Sequence, residues 1–326
     1  MRRVTRVSVI VLIAVLCAAI SASAQQKFPT KPVEAVVAWA PGGGADLVFR
    51  AMAALFPKYA NGQPLVVKNV PGAAGVPGIT EFMRAKPDGY SIMHWNTAHV
   101  VKTHMSKVPF TATSFTPIIR LVSAYNYLNV KADAPWKTLG EFLAEAKKNP
   151  GNVSVGNAGP GGGNHMAALL LEDAAKVKFL HVPFTGGGPS IVGLMSGQVQ
   201  SAMNIAPEGI SNVQAGQLRI LAVFGPKRLA NFPNVPTGIE QGVQLSLDQW
   251  RGAVAPPNTP PDIVAALHDI LKKVIEDPEF VAKMNELSTD VSYADGKTFG
   301  EDIKNEDKRY EKLCQEQKLG DRYPGK

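Results

Sequence analysis

From residue 33 onward, short apolar runs alternate with longer stretches in which apolar residues recur every three or four positions. The runs predict buried strands, and the periodic stretches predict amphipathic helices. The predicted strands cover residues 33–39, 64–69, 90–95, 152–156, 181–184 and 219–224. The predicted helices cover residues 46–59, 72–85, 137–148, 165–175, 189–196, 261–276, 278–287 and 297–313. Strands that alternate with helices in this way predict an α/β fold.

Two glycine-rich turns each connect a predicted strand to a predicted helix. The first spans residues 40–46 and the second spans residues 156–165. The start of a helix presents unpaired backbone N–H groups and the positive end of the helix dipole, so it favours anions. Because the turns lie in separate halves of the chain, they predict an anionic ligand that is held from two sides.

The first residues of the chain have the pattern of a secretory signal peptide. Its basic start consists of Arg2, Arg3 and Arg6. An apolar segment at residues 7–20 follows, and the tripeptide 22–24 then provides the small residues of a cleavage site. We therefore expect residues 1–24 to be a signal peptide that is cleaved at its end, which places the protein in the periplasm. An uncleaved membrane anchor is one alternative. A lipoprotein that starts at Cys17 is another, although the bulky Leu16 disfavours it.

The charge and the cysteine content narrow the class of protein. The chain has a formal net charge of +7, which falls to +4 once the three basic residues of the signal peptide are removed. No block of lysine and arginine with interleaved aromatic residues occurs, so we expect no nucleic-acid partner. Of the two cysteines, Cys314 alone follows the signal peptide, so we expect no internal disulfide.

The sequence lacks the motifs of common hydrolases and metalloenzymes. It has no nucleophile elbow, no H-E-x-x-H and no pair of catalytic carboxylates, so we expect no enzyme activity. It also has no complete dinucleotide or phosphate loop, and we expect no cofactor. His94, His99 and His104 are spaced five residues apart. This spacing does not place the three side chains on one face of a helix or of a strand, as a set of metal ligands would require. We therefore predict no metal site.

The order of short motifs along the chain resembles that of one family. Residues 41–46 with Arg50 look like its P-G-G-x-x-D…R signature, and residues 86–90 look like its P-D-G-Y turn. Further similar segments lie at residues 70–75, 156–161 with His165, 183–189, 197–199, 215–219, 234–237, Trp250 and 255–257. The chain resembles the Bug/TctC proteins, which are the periplasmic solute receptors of tripartite tricarboxylate transporters (TTT). The likeness covers nearly everything after the signal peptide.

This resemblance implies a type II periplasmic-binding-protein fold, in which two α/β domains close on a ligand like a Venus flytrap. We expect domain I to contain residues 25–123 and 228–326, and domain II to contain residues 124–227. The ligand would lie in the interdomain cleft, beyond the carboxyl ends of the strands. The resemblance also implies a monomer that binds a small organic carboxylate and delivers it to the membrane subunits of a transporter.

The two turns and their neighbours supply the predicted ligand-binding residues. Without Cβ atoms, the glycines at 42–44 let a carboxylate approach the backbone amides, and Asp46 would hold that loop in place. We expect the proximal carboxylate of the ligand between residues 42–44 and residues 157–163. Asn164 stands where an N-cap is expected, while His165 either contacts the ligand or bonds within its own loop. The full set is Pro41, Gly42, Gly43, Gly44, Asp46, Asn96, Thr97, Ala98, Asn157, Ala158, Gly159, Gly161, Gly162, Gly163, Asn164, His165, Thr185, Gly186 and Asn204.

One segment departs from the resemblance. Gln200 stands where many relatives have Asp, and residues 201–206 are also atypical. This stretch should supply distal cleft residues such as Asn204, so the identity of the ligand stays open. A mono- or dicarboxylate is the favoured ligand, and a neutral amide or an aromatic molecule trapped in a closed cleft is the alternative. A sensor component for a two-component system also stays open, as does a secreted enzyme, although no catalytic constellation supports the latter.

Overall fold

The computed structural model describes residues 28–316 and 318–321, and the expected signal peptide lies outside these residues. The strands are β1 (Val33–Val37), β2 (Leu65–Asn69), β3 (Ser91–Asn96), β4 (Thr116–Lys131), β5 (Ser154–Asn157), β6 (Leu180–Pro183), β7 (Ser201–Ile205), β8 (Leu218–Phe224), β9 (Asp248–Ala255) and β10 (Asp290–Asp295). The α-helices are α1 (Gly44–Tyr59), α2 (Val76–Phe82), α3 (Thr97–Met105), α4 (Leu139–Lys148), α5 (Gly163–Ala175), α6 (Gly187–Met195), α7 (Ile210–Gln214), α8 (Pro261–Glu276), α9 (Pro278–Glu286) and α10 (Gly296–Glu316). The predicted α/β fold is therefore confirmed.

The first lobe is built on a sheet with the strand order β2-β1-β3-β9-β4-β10. β1 pairs in parallel with β2 on one side and with β3 on the other, whereas β9 pairs antiparallel with both β3 and β4. Helices α1, α8 and α9 cover one face of the sheet, and α2, α3 and α10 cover the other. β1 is accordingly buried along nearly its whole length, as is usual for a parallel strand between two helical layers.

The second lobe is built on a sheet with the strand order β8-β4-β7-β5-β6. β5 pairs in parallel with β6 and β7, while β4 pairs antiparallel with β7 and β8. Helices α4 and α5 pack on one face, and α6 and α7 pack on the other. Each lobe is therefore a sheet with helices on both faces, and hydrophobic cores fill the space between the sheet and each helical layer.

The sixteen-residue strand β4 connects the two lobes. Its residues 116–125 pair with β9 in the first lobe, and its residues 126–131 pair with β7 and β8 in the second lobe. A single continuous strand thus belongs to both sheets and joins the lobes, and residues of both lobes line the cleft between them.

Four strands lead directly into helices at this cleft. β1 leads to α1, β3 to α3, β5 to α5 and β6 to α6, and the residues that follow these strands line one cavity between the lobes. The carboxyl ends of strands in an open α/β sheet are the usual place for a ligand. Within residues 28–316 and 318–321, no helix has the length and apolar character needed to cross a membrane.

The hydrophobic pattern did not predict β4, β7, β9, β10, α3 or α7. Polar residues interrupt the apolar runs in these elements, and their partners come from distant parts of the chain. Arg120 of β4, for example, bonds to Asp302 of α10 at 2.6 Å. A pattern read along the sequence therefore records these positions as breaks, although the folded chain gives many of their polar groups distant partners.

Candidate ligand-binding site

The cleft encloses a cavity of about 30 Å³ between the two lobes. A cavity of this size accommodates a water molecule but not an organic acid. Its lining residues come from both lobes and are Trp39, Gly44, Ala45, Asn96, Ala98, Ala158, Gly163, Asn164, Gly187, Ile205, Glu208, Gln249 and Arg251. An organic ligand can therefore enter this site only if the lobes first move apart.

Four helices begin at the cavity. The lining includes the first residues of α1, α5 and α6, which are Gly44, Gly163 and Gly187, and it includes Ala98 in the first turn of α3. The first N–H groups of a helix have no partner within that helix, and they carry the positive end of its dipole. Two helix starts from each lobe thus make this cavity favourable for an anion.

The first glycine turn is held in shape by Asp46. The backbone N–H of Gly42 donates to Oδ2 of Asp46 at 2.9 Å, and Asn69 and Arg50 also donate to this carboxylate at 3.0 and 2.9 Å. Gly42 has φ +76°, a conformation that L-residues rarely adopt. Asp46 is 1% exposed and directs its carboxylate into its own loop, as expected for a residue that supports the turn.

The second glycine turn uses several of its amides internally. Gly159 N–H donates to the side chain of Asn157 at 3.0 Å, and Gly161 N–H donates to Nδ1 of His165 at 3.2 Å. Burial, together with the nearby His181, lowers the pKa of His165 to about 4, so the ring is neutral near pH 7. His165 therefore bonds within its own loop, and its ring is not part of the cavity lining.

Asn164 is not the N-cap of α5, and that prediction is wrong. The helix begins one residue earlier, at Gly163, and its N-cap is Gly162. The Asn164 side chain instead accepts from the Asn126 amide at 3.1 Å and donates to Oε2 of Glu208 at 2.8 Å. These buried partners come from β4 and from the turn after β7, and the hydrophobic pattern predicted neither element.

A third glycine turn, which spans residues 185–188 after β6, brings the lobes into direct contact. A Cβ at Gly188 would lie 2.9 Å from the carbonyl carbon of Gly42 and 3.1 Å from the backbone nitrogen of Gly43. A side chain at residue 188 would therefore push the two turns apart. Gly186 is buried beside Ala40 of the first lobe, whereas Thr185 is exposed.

Glu208 supplies a carboxylate to the cavity. It is 6% exposed and accepts from the backbone N–H of Gly44 at 3.3 Å, from Asn164 at 2.8 Å and from the backbone N–H of Ile205 at 3.1 Å. The amide of Asn204 also donates to it, at 3.4 Å. Asn204 is fully buried behind Glu208 and is not part of the cavity lining.

Arg251 supplies a cation from the opposite lobe. It is 3% exposed on β9, and its Nη1 donates to the carbonyl oxygen of Ala206 at 2.7 Å. Burial lowers the pKa of Arg251, while the nearby Glu208 and Tyr127 oppose this shift. Gln249, two residues earlier on the same face of β9, packs against Gly163.

Trp39 closes the cavity on the side of the first lobe. Its ring stacks on that of His99, with centroids 5.5 Å apart and an angle of 4° between the planes. His99 is fully buried, which lowers its pKa to about 3 and keeps the ring neutral. The histidine thus contributes to the position of Trp39 as an uncharged aromatic ring.

The predicted site residues fall into two groups. The cavity lining includes Gly44, Asn96, Ala98, Ala158, Gly163 and Asn164. The other predicted residues lie in the same loops or behind them, outside the lining, and are Pro41, Gly42, Gly43, Asp46, Thr97, Asn157, Gly159, Gly161, Gly162, His165, Thr185, Gly186 and Asn204. The cavity lining thus includes residues from both predicted glycine turns and from the end of β3, and it leaves out most of the predicted set.

The sequence analysis did not identify Glu208, Gln249 or Arg251 as site residues. One signal was available, because Arg251 stands as a single cation in the run from Trp250 to Ala255 that is otherwise apolar or glycine. A buried charge of this kind is rare unless it has a partner or a function. Glu208 lies between Pro207 and Gly209 in an ordinary turn sequence, and nothing local distinguishes it.

Comparison with known proteins assigns the chain to a family. The family model of the tripartite tricarboxylate transporter family receptor, TctC, matches residues 48–319. A relative from Cupriavidus necator, the UPF0065 protein in the gbd 5' region, is 33% identical over 308 residues, which cover 91% of this chain and 92% of that protein.

Two solved structures are similar along nearly the whole chain. The periplasmic binding protein BugD is 30% identical with a TM-score of 0.85, and the match covers 89% of this chain and 98% of BugD. MatC (Rpa3494) from Rhodopseudomonas palustris, solved with bound malate, is 28% identical with a TM-score of 0.82, and the match covers 88% of this chain and 99% of MatC. Both confirm the two-domain fold of periplasmic binding proteins. This chain therefore belongs to the TctC family of tripartite tricarboxylate transporter receptors, which are periplasmic solute-binding proteins and include the Bug proteins.

Proposed function

We propose that this protein binds a small organic carboxylate in the cavity between its lobes and delivers it to the membrane subunits of a tripartite tricarboxylate transporter. The observation that carries the proposal is the convergence of four helix starts and the buried Arg251 on one cavity. Backbone N–H groups and a guanidinium are the donors that carboxylates prefer. The malate bound to MatC supports a ligand of this class.

The proposal includes the architecture expected from the sequence. Domain I contains residues 25–123 and 228–326, and domain II contains residues 124–227. The change of pairing partners along β4 after residue 125 supports the first boundary of this division. Leu229, Val243, Leu245 and Leu247 pack in the core of the second lobe, which argues for a second boundary after residue 247 instead of at residue 228. The protein acts as a monomer, without a cofactor and without catalysis.

The proposed location in the periplasm depends on export. We expect the signal peptide to be removed after Ala24, so that the mature chain starts at Gln25. Mass spectrometry of the protein recovered from the periplasm measures this directly. A chain that still starts at Met1, or a lipid on Cys17, would contradict the expectation.

Binding and closure test the proposed function together. A thermal-shift screen of small mono- and dicarboxylates against the full mature chain identifies ligands, because a ligand that binds the folded state raises the unfolding temperature. Small-angle scattering with and without the best acid then measures closure. We expect the radius of gyration to fall on binding, because residues of both lobes line the cavity and a ligand that contacts both sides draws the lobes together. A bound acid with no change in the radius of gyration would refute the two-sided grip.

A further inference from the structure

The carboxylate of Glu208 lies at the centre of the helix starts that favour an anion. It accepts the N–H of Gly44 at the start of α1, and it accepts the side-chain amide of Asn164 at the start of α5. It also packs against Gly187 at the start of α6, where no room remains for a Cβ. The protein thus places a negative charge of its own where a ligand carboxylate would be favoured.

Glu208 is fixed to the second lobe. The donors Asn164, Asn204 and the N–H of Ile205 belong to that lobe, and Gly44 is the one donor from the first lobe among the described residues. The carbonyl oxygen of Glu208 accepts the hydroxyl of the fully buried Tyr127, which holds the main chain. A ligand that displaced this side chain would break charge-assisted hydrogen bonds, which are roughly twice as strong as neutral ones. Because three of its four donors belong to the second lobe, we expect the Glu208 side chain to stay with that lobe when the lobes separate.

Arg251 provides the opposite charge from the first lobe. Its Nη1 is engaged by the carbonyl oxygen of Ala206, and its Nη2 lies beside Gly44, where it lines the cavity. The cavity therefore has a cationic side, formed by Arg251 and the starts of α1 and α3. It also has an acceptor side, formed by Glu208. A ligand that matches both sides carries a carboxylate and a hydrogen-bond donor.

We infer that this receptor selects acids that carry a hydroxyl or ammonium group to donate to Glu208, and that it discriminates against plain dicarboxylates. This inference rests on the proposed function and names the ligand class of the same site. A second carboxylate placed against Glu208 would bring two like charges together at a side chain that is only 6% exposed, and this repulsion weakens binding. A hydroxyl or ammonium group at the same point forms a hydrogen bond to a charged acceptor instead.

Matched acids test the inference on the wild-type protein. Succinate, malate and aspartate share one carbon skeleton and differ by a hydrogen, a hydroxyl or an ammonium group at the second carbon. Glutarate, 2-hydroxyglutarate and glutamate form a second set that is one carbon longer. We expect calorimetry on the full mature chain to show that a donor-bearing acid binds at least about tenfold more tightly than its plain counterpart, which is the contribution of one hydrogen bond to a charged group.

The variant Glu208→Gln keeps the shape of the side chain and removes its charge. We expect plain acids to bind it more tightly than they bind the wild type, and we expect the preference for donor-bearing acids to fall to about twofold. Glu208→Ala is a second variant, which removes the acceptor altogether and loses the preference in the same way. Glu172→Gln is the matched control. Glu172 is equally buried, at 4% exposure, and lies nine residues after Gly163 on α5, about 13 Å along the helix from the cavity.

Each outcome bears on one of the two proposals. Loss of the preference in Glu208→Gln and its retention in Glu172→Gln support the inference. Equal affinity of plain and donor-bearing acids for the wild type overturns the inference but leaves the proposed function in place. An unchanged preference in Glu208→Gln does the same. If none of the six acids binds the wild type although the screen finds another acid that does, the inference is overturned and the proposed function stands. If no mono- or dicarboxylate of the screen binds either the wild type or Glu208→Gln, the proposed function is refuted and the inference falls with it.

Discussion

Replacement of Gly44 by alanine tests whether Arg251 contacts the ligand. A Cβ at residue 44 would lie 2.5 Å from Nη2 of Arg251 and 3.3 Å from Cδ of Pro207. Ordinary contacts begin at about 3.4 Å, so the guanidinium must retreat by about 0.9 Å. A hydrogen bond between this group and a ligand carboxylate would not survive such a shift. Its loss weakens binding by about 1.5–3 kcal/mol, which corresponds to about 10- to 150-fold in affinity.

The same substitution also changes the stability of the fold. Gly44 begins α1 with a helical backbone, so an alanine there restricts the unfolded chain and stabilises the protein by about 0.4–1 kcal/mol. Overpacking against Arg251 opposes this gain by about 1–3 kcal/mol. We therefore expect the free energy of unfolding to fall by no more than about 2–3 kcal/mol, with a folded protein that binds poorly.

Calorimetric titration with the tightest-binding of the six acids measures the affinity, and scanning calorimetry measures the stability. Gly140→Ala is the matched control, because Gly140 lies in the first turn of α4, is exposed, and has its nearest neighbour atom, Oγ1 of Thr138, at 3.8 Å from a Cβ. We expect this control to bind like the wild type. An affinity of Gly44→Ala within about twofold of the wild type would refute a contact between Arg251 and the ligand.

Two further predictions concern closure and acid stability. Gly43→Val is expected to abolish binding in a folded protein, since its Cβ would lie 3.9 Å from the backbone nitrogen of Gly188 in the opposite lobe and its methyl groups would hinder closure. The φ of Gly43 is −77°, a value that valine can adopt, so backbone strain plays no part. Unchanged affinity of Gly43→Val by calorimetry would contradict the predicted loss of binding. Hydrogen bonds from Lys58, Tyr59 and a backbone N–H lower the pKa of Asp277 from 3.8 to about 2, so their stabilisation is present above pH 3.8 and is lost as the pH falls towards 2. Urea melts should therefore show Asp277→Asn less stable than the wild type at pH 7, with a difference that narrows between pH 4 and pH 2; equal stability at pH 7 would count against it.

Much of the fold could be predicted because it depends on local periodicity. Residues 261–276 were predicted as a helix and form α8 with those bounds, and residues 46–59 form most of α1. In both segments apolar residues recur every three or four positions and form one face that packs on a sheet, so the sequence pattern alone predicts the helix. The glycine turns were equally visible, because a strand, a turn and a helix follow each other directly along the chain.

The strand β4, which joins the lobes, and its neighbour β9 could not be predicted in this way. β4 contains Arg120, Ser123, Asn126 and Asn129, and β9 contains Gln249 and Arg251. These polar groups interrupt the apolar pattern, and their partners are set by strand pairing between distant segments of the chain. Asn126, for example, bonds to Asn164 and Asn204, which are 38 and 78 residues away.

The sequence by itself determined the α/β class, the two anion-favouring turns and the resemblance to one family of receptors. Only the tertiary structure decided which atoms face the ligand cavity. Glu208 and Arg251 are 43 residues apart in the chain, yet pairing of β4 with β7 and with β9 places them in the same cavity. Local propensity acts over a few residues, whereas this juxtaposition depends on how two sheets share one strand. The juxtaposition of these two charges is therefore a property of the assembled fold.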